Sequence, residues 1–304
     1  MAAHTGAGDF GAAALACMIL AMDRRALFQS IAADVSKGEL SFPTSAQVAM
    51  RVRRALDDPD CHIEAAAHLV QAEPLLAARV VAIANSVAYN RSGREITDVR
   101  TSVARLGFGT VRALATALIT RQLAGAPSAV AHQKLAAQLW EHTAHVASLA
   151  HVIARRVTHL DAETAMFAGI VHEVGGFYLI SRAQNFPGLL EGLLEADPSD
   201  WIDYGEAEIG RAVLQVLAVP APVTAAIEAY WDGFLSMPPT TLADTLLLAE
   251  ELAPVPSPLH PLGGQEPDAG MKAAIDMAVG EETLASILKE SAEEVASLTG
   301  ALKF

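Results

Sequence analysis

The chain is predicted to be all-α. Three observations point there. Its apolar content is 52% of 304 residues, drawn mostly from Ala, Leu and Val, with only 5% aromatic. Ala and Leu favour helices, and strand-favouring aromatics are few. Apolar residues recur at helical spacing along most of the chain, whereas strand-like alternation hardly appears. Gly, Pro and capping residues break that periodicity at intervals of about one helix.

The elements follow in order. Phe10 to Met22 carries no charge (FGAAALACMILAM), but it is shorter than the roughly 20 residues that span a bilayer. Arg24 and Arg25 follow it, the reverse of a signal peptide. It reads as a helix packed on the body or a mobile extension, and Met22 stands as an alternative start. Residues 24–37 read as a helix stopped by Gly38. Pro43 makes 40–43 extended, and Thr44 or Ser45 caps a helix ending at the acidic turn 57–60. A short helix over 62–71 comes next. Pro74 then opens one that stops at Asn85-Ser86.

Asp98 or Thr97 caps the next helix, which Gly107-Phe108-Gly109 breaks. The small, polar stretch 125–129 is the best subdomain boundary. A long helix over 130–157 follows, then one capped by Asp161. Further helices fit 186–195, 203–217, 221–232 and 240–252. The Pro/Gly-rich stretch 254–270 is a loop. The last helix opens at Ser291, with Glu294 at capping-box spacing. Three parts result: an extension (1–35), an N-terminal helical subdomain (36–125) and a second helical subdomain (126–304).

Charge and cysteines narrow the function. The formal charge is -14, from 21 basic and 35 acidic residues. A nucleic-acid binder normally carries a basic surplus, so no nucleic-acid partner is expected. The same acidity opposes docking on anionic lipid, and no membrane span is expected. Cys17 and Cys61 form no disulfide framework, which fits a reducing cytoplasm. The basic cluster Arg51, Arg53 and Arg54 reads as a solvated helix face. No phosphate loop, GxSxG motif or Cys-His pair is present.

Two histidines stand out. On a helical wheel His142 sits mid-stripe among Leu135, Leu139, Val146, Leu149 and Ile153, where a polar group needs a partner. Arg155 and Arg156 fall on the far side or its flank and read as solvated. His172 lies on a small-residue face with Ala165, Ala168, Gly169 and Gly176, which lets a neighbouring helix approach. Glu173 follows directly. Two buried imidazoles and a carboxylate suit Mn, Fe, Ni or Zn. Against this stands the reading of two core histidines hydrogen-bonded locally, because three donors leave a site short of closure.

Several segments together resemble the HDOD module, the non-catalytic relative of the bacterial HD-domain phosphohydrolases. They are FPTSAQVAMRVRRALDDPD, VQAEPLLAARVVAIANS, ITDVRTSVARLGFGTVRALA, LWEHTAHVASLAHVIA, AMFAGIVHEVGGFYLI, EAEIGRAVLQVLAVPAPVTAAI and TLADTLLLAEEL. The resemblance covers roughly 36–300 and implies a helical bundle in bacterial signal transduction. Active HD enzymes hold metal with a His, a His-Asp pair and a later Asp. By the resemblance His142 matches the first and His172 the second, and Glu173 stands where the Asp would be. Gly175-Gly176 replaces the usual Gly-Lys. Glu206 and Tyr230-Trp231 occupy places where many HDOD members keep histidines. No residue clearly supplies the late Asp, for which Asp203 and Asp232 are nearby candidates.

The resemblance therefore implies a degenerate site at His142, His172 and Glu173, with no metal, no cofactor and no catalytic residue expected. Asn85, Ser86, Glu206, Tyr230 and Trp231 are candidate ligand or partner contacts. For Asn85-Ser86 a local helix stop is the simpler reading. The expected function is a non-catalytic regulatory module that binds a signalling protein or small ligand. The alternative is a metal-dependent phosphohydrolase acting on a nucleotide or cyclic dinucleotide. A homodimer is compatible with either.

Overall fold

In the computed structural model every regular element among the described residues is helical. The described residues are 25–37, 40, 44–125, 127, 129–183, 185–186, 189–190, 201–259, 276–277 and 284–303. Helix α1 covers 25–36. Then come α2 (Thr44–Leu56), α3 (Ile63–Gln71), α4 (Pro74–Ala84) and α5 (Val99–Leu123). The second part holds α6 (Val130–Ile153), α7 (Ala162–Val171), α8 (Val174–Arg182), α9 (Arg211–Val216), α10 (Ala221–Trp231) and α11 (Leu242–Glu251). The chain closes with α12 (Leu284–Glu290) and α13 (Ala292–Leu302). The uncharged run 10–22, the alternative start and most of the expected helix 186–195 lie outside the described residues.

Helices α5 and α6 organise the rest. α5 packs on α2, α3 and α4, and also on α7 and α8, so it is buried on several faces. α6 packs on α7, α8, α11 and α13. A single hydrophobic cluster runs through both parts, from Val80 and Leu118 to Leu139, Val171 and Leu246. Val99–Leu123 and Ala162–Arg182 are long and apolar enough to cross a membrane, but 67% and 83% of their apolar windows are buried in this core.

Local chemistry explains the element ends. Asp98 and Asp161 each accept the backbone N–H three residues on, from Thr101 and Thr164. Pro74 occupies the first turn of α4. Gly107 kinks α5 at φ 76°, a conformation that favours glycine. The helix resumes at once, so the expected break is a bend. α6 passes into a π-helical turn (Ala154–Thr158), and Thr158 Oγ1 meets Thr245 Oγ1 of α11 at 2.8 Å.

Two sequence expectations need correction. Ser291 makes no capping bond, and the Glu294 side chain pairs with Arg155 rather than reaching back to the helix start. The capping box forms at Thr241 and Asp244. Arg53 is not solvated. Its side chain is 12% exposed, and its guanidinium donates to the carbonyls of Leu217 and Ala218, tying α2 to the turn before α10.

Candidate functional site

The two histidines meet because α6 and α7 touch backbone to backbone. A Cβ on Gly169 would stand 2.6 Å from Ala147 Cα. This is the close approach that the small-residue face predicts. It brings the imidazole centroids of His142 and His172 to 5.6 Å. His142, His172 and Glu173 are 0%, 2% and 4% exposed.

Each ring is oriented by a backbone carbonyl. His142 Nδ1 donates to Val255 O at 2.8 Å, and His172 Nδ1 to Gly169 O at 2.6 Å. A carbonyl oxygen only accepts, so both Nδ1 atoms carry hydrogen and both Nε2 atoms face inward. His142 Nε2 lies 3.0 Å from Glu250 Oε2 and 3.8 Å from Glu173 Oε2. His172 Nε2 stands 3.5 Å from the same Glu250 oxygen and makes no hydrogen bond. Ser257 Oγ donates to Glu173 Oε1 at 2.5 Å. Tyr230 packs edge-on to His172, with centroids 5.7 Å apart.

The charges reinforce one another. Burial works against a charged imidazole at His142, but Glu173 and then Glu250 outweigh it and hold its pKa at about 9. Burial would raise the Glu250 carboxyl. The bond from His142 and the neighbouring His172 keep it well below the usual carboxylate range. His142 is therefore an imidazolium paired with Glu250.

Glu250 is the residue that sequence reasoning missed. It lies on α11 in line with Ala243 and Leu246, seven and four positions earlier and both buried. A carboxylate on that stripe was the available signal. The late acid is neither of the expected aspartates. Asp232 ends α10 exposed to solvent, and the side chain of Asp203 lies outside those described.

The donors His142, His172 and Glu173 lie within 4.8 Å of one another. With metal–ligand bonds of about 2.0–2.2 Å, neighbouring donors on a tetrahedron stand roughly 3.3–3.6 Å apart. The separations of 3.0, 3.5 and 3.8 Å around Glu250 Oε2 and His142 Nε2 bracket that range. The residues thus fit a divalent transition ion. His142, His172 and Glu173 would hold it, and its chemistry there would be charge neutralisation.

The other candidate contacts are dispersed. Asn85 donates to Val81 O and Ile96 O and accepts from Ile96 N, pinning the loop after α4. Ser86 Oγ bonds Ile83 O. Both serve local structure. Trp231 is half-buried, and its ring carbons would lie 3.2 and 3.4 Å from a Cβ on Gly210. The side chain of Glu206 lies outside those described.

A second polar cluster, not foreseen, joins both parts of the chain. Tyr89 donates to Glu163 Oε2, and Thr110 Oγ1 lies 3.0 Å from the same oxygen. His151 is 4% exposed and sits between Glu163 (3.7 Å) and Glu294 (3.5 Å). Arg155 grips Glu294 with two bonds of 2.9 and 2.6 Å. Arg155 was expected to be solvated, but this pairing holds it to α13. Beside the cluster a cavity of about 600 Å³ opens between α2, α5 and α7, bounded by Arg53, Arg112, Asp161, Glu163 and Phe167.

The family model for the HDOD domain matches residues 42–232, well over half of the sequence. The chain belongs to the HDOD family. Solved structures agree with that assignment in fold. An HDOD domain protein of unknown function from Geobacter sulfurreducens aligns with TM-score 0.57 and 21% identity, covering 90% of this chain and 96% of that one. A protein of Shewanella amazonensis SB2B, provisionally named a metal-dependent phosphohydrolase, aligns with TM-score 0.68 and 19% identity over 92% and 99%. A protein of Marinobacter aquaeolei VT8, provisionally named a signal transduction protein, aligns with TM-score 0.57 and 21% identity over 88% and 61%. No curated protein matches the sequence. Within this HDOD fold, α6 and α7 supply the paired histidines and α11 the second carboxylate.

Proposed function

We propose that this HDOD protein is a non-catalytic regulatory module of signal transduction, acting in the cytoplasm by binding a protein partner or small ligand. One observation carries the reading. The cluster matching the HD centre is sealed by the segment after α11, whose Val255 carbonyl sits on His142 and whose Ser257 hydroxyl sits on Glu173. Hydrolysis needs an open position for water and a route for substrate. The two imidazoles and Glu173 are at most 4% exposed, which opposes the entry of a substrate.

The cavity between α2, α5 and α7 gives a small ligand a seat away from that cluster. The Arg112 side chain there is 40% exposed. The far-apart cysteines support a reducing compartment.

The rival reading is a metal-dependent phosphohydrolase acting on a nucleotide or cyclic dinucleotide. Convergence of His142, His172, Glu173 and Glu250 favours it, and their burial opposes it. Reciprocal capture tests the regulatory reading. The tagged chain should recover a regulatory protein from native lysate, and that protein should recover the chain. Repeated recovery of none would count against it.

A further inference from the structure

We infer that the cavity between α2, α5 and α7 seats a small zwitterion of dipeptide class. Its carboxylate meets Arg112, and its ammonium meets Asp161 and Glu163. The inference rests on the regulatory reading and names the class of small ligand that the module binds.

The cavity of about 600 Å³ falls within the range of small-molecule sites, and it lies where the two parts of the chain meet, a common place for them. Its walls differ in charge. α2 and α5 contribute two guanidiniums, Arg53 and Arg112, against one carboxylate, Asp57. The start of α7 contributes two carboxylates, Asp161 and Glu163. Phe167 and Pro220 add apolar surface.

This lining selects the ligand. A simple anion would meet the two carboxylates of α7, and a simple cation the two guanidiniums. An uncharged ligand would strip water from both sets and return no ionic contact. A molecule carrying both signs answers both walls. A free amino acid holds its two charges on one carbon, whereas these walls belong to different helices. A dipeptide separates its charged ends, spanning about 7 Å when extended.

Each wall keeps a group for the task. Arg112 Nη1 donates to Leu56 O at 3.3 Å and Nε lies 3.6 Å from Asp57 Oδ1, so neither contact uses Nη2. Both hydrogen bonds from Thr164 fall on Asp161 Oδ1, so neither uses Oδ2. Glu163 keeps 38% of its side chain exposed. Gly109 leaves room in the lining, since a Cβ there would meet nothing within 4 Å.

Calorimetric titration of the full chain tests this with L-alanyl-L-phenylalanine, its N-acetyl derivative and its C-terminal amide. The expected result is one equivalent of the free dipeptide. Each blocked form should bind about 10-fold more weakly or worse, because each loses a charged contact. Arg112→Ala should weaken the dipeptide by a similar factor and change the amide little. Gly109→Leu should fill the cavity and abolish binding, with circular dichroism establishing that both variants are folded. No binding of the dipeptide at millimolar concentration overturns the proposal. Binding that survives in folded Gly109→Leu overturns the site. Equal or tighter binding of either blocked form overturns the zwitterion. No partner protein enters the measurement, so a negative result strikes the ligand and leaves reciprocal capture to judge the regulatory reading.

Discussion

His172 Nε2 lies 3.5 Å from Glu250 Oε2, the oxygen that also faces His142 Nε2 at 3.0 Å. One carboxylate from a late helix thus reaches both imidazoles of the HD-like pair. The relationship draws the two imidazoles and the helix α11 together, and the segment after α11 adds the Val255 carbonyl on His142 and the Ser257 hydroxyl on Glu173.

The second cluster makes stability depend on pH on both sides of a window. Burial alone would lower the His151 pKa, but Glu163 and Glu294 raise it above the ordinary 6.5. The His151 imidazole and then Arg155 hold Glu294 down at about 2 despite its burial. A raised histidine contributes most below its unfolded pKa and loses that contribution as pH climbs through the folded value. A depressed carboxylate contributes above its unfolded value, near 4.5, and loses it as pH falls towards 2. The cluster therefore helps most between about pH 4.5 and 6.5. Urea unfolding across pH 3–9 should show stability falling on both arms. The Glu294 share is on the order of 1 kcal/mol after solvent screening. His151→Asn should flatten the alkaline arm, and an unchanged arm would remove His151 as its source.

Gly169→Ala should destabilise the fold by about 1–3 kcal/mol, because the new Cβ meets Ala147 backbone rather than a movable side chain. Gly300→Ala is the contrast, since nothing lies within 4 Å of a Cβ there. Equal urea midpoints for the two would contradict the close approach of α6 and α7.

Arg53→Ala should cost about 1.5–3 kcal/mol, as it removes charged donors from the carbonyls of Leu217 and Ala218. Arg54→Ala, on the exposed side of α2, should stay within about 0.5 kcal/mol. Chemical denaturation of both variants decides whether the arginines form one solvated face or two distinct ones.

Much of this architecture was legible in the residues. Periodicity and caps placed most helices because Pro74, Asp98 and Asp161 act through local bonds that sequence spacing reveals. His142 and His172 were legible because a polar residue on an apolar or small-residue face needs an explanation. Glu250 was not, since its partners His142 and His172 lie far away in sequence. His151 escaped for the same reason: Glu163 and Glu294 come from two other helices. Glu294 itself misled, because capping-box spacing counts residues, while the arginine that captures it arrives from α6. Arg53 likewise looked solvated until the turn before α10 closed on it.

The most direct test of the account is turnover. Purified full-length protein, supplemented in turn with Zn²⁺, Mn²⁺ and Fe²⁺, would be incubated with nucleotides and cyclic dinucleotides, and product would be quantified by chromatography against a His172→Ala control. A closed, non-catalytic centre predicts no product above that control with any ion. Metal-dependent hydrolysis lost in His172→Ala would contradict it and establish the cluster as an active phosphohydrolase site.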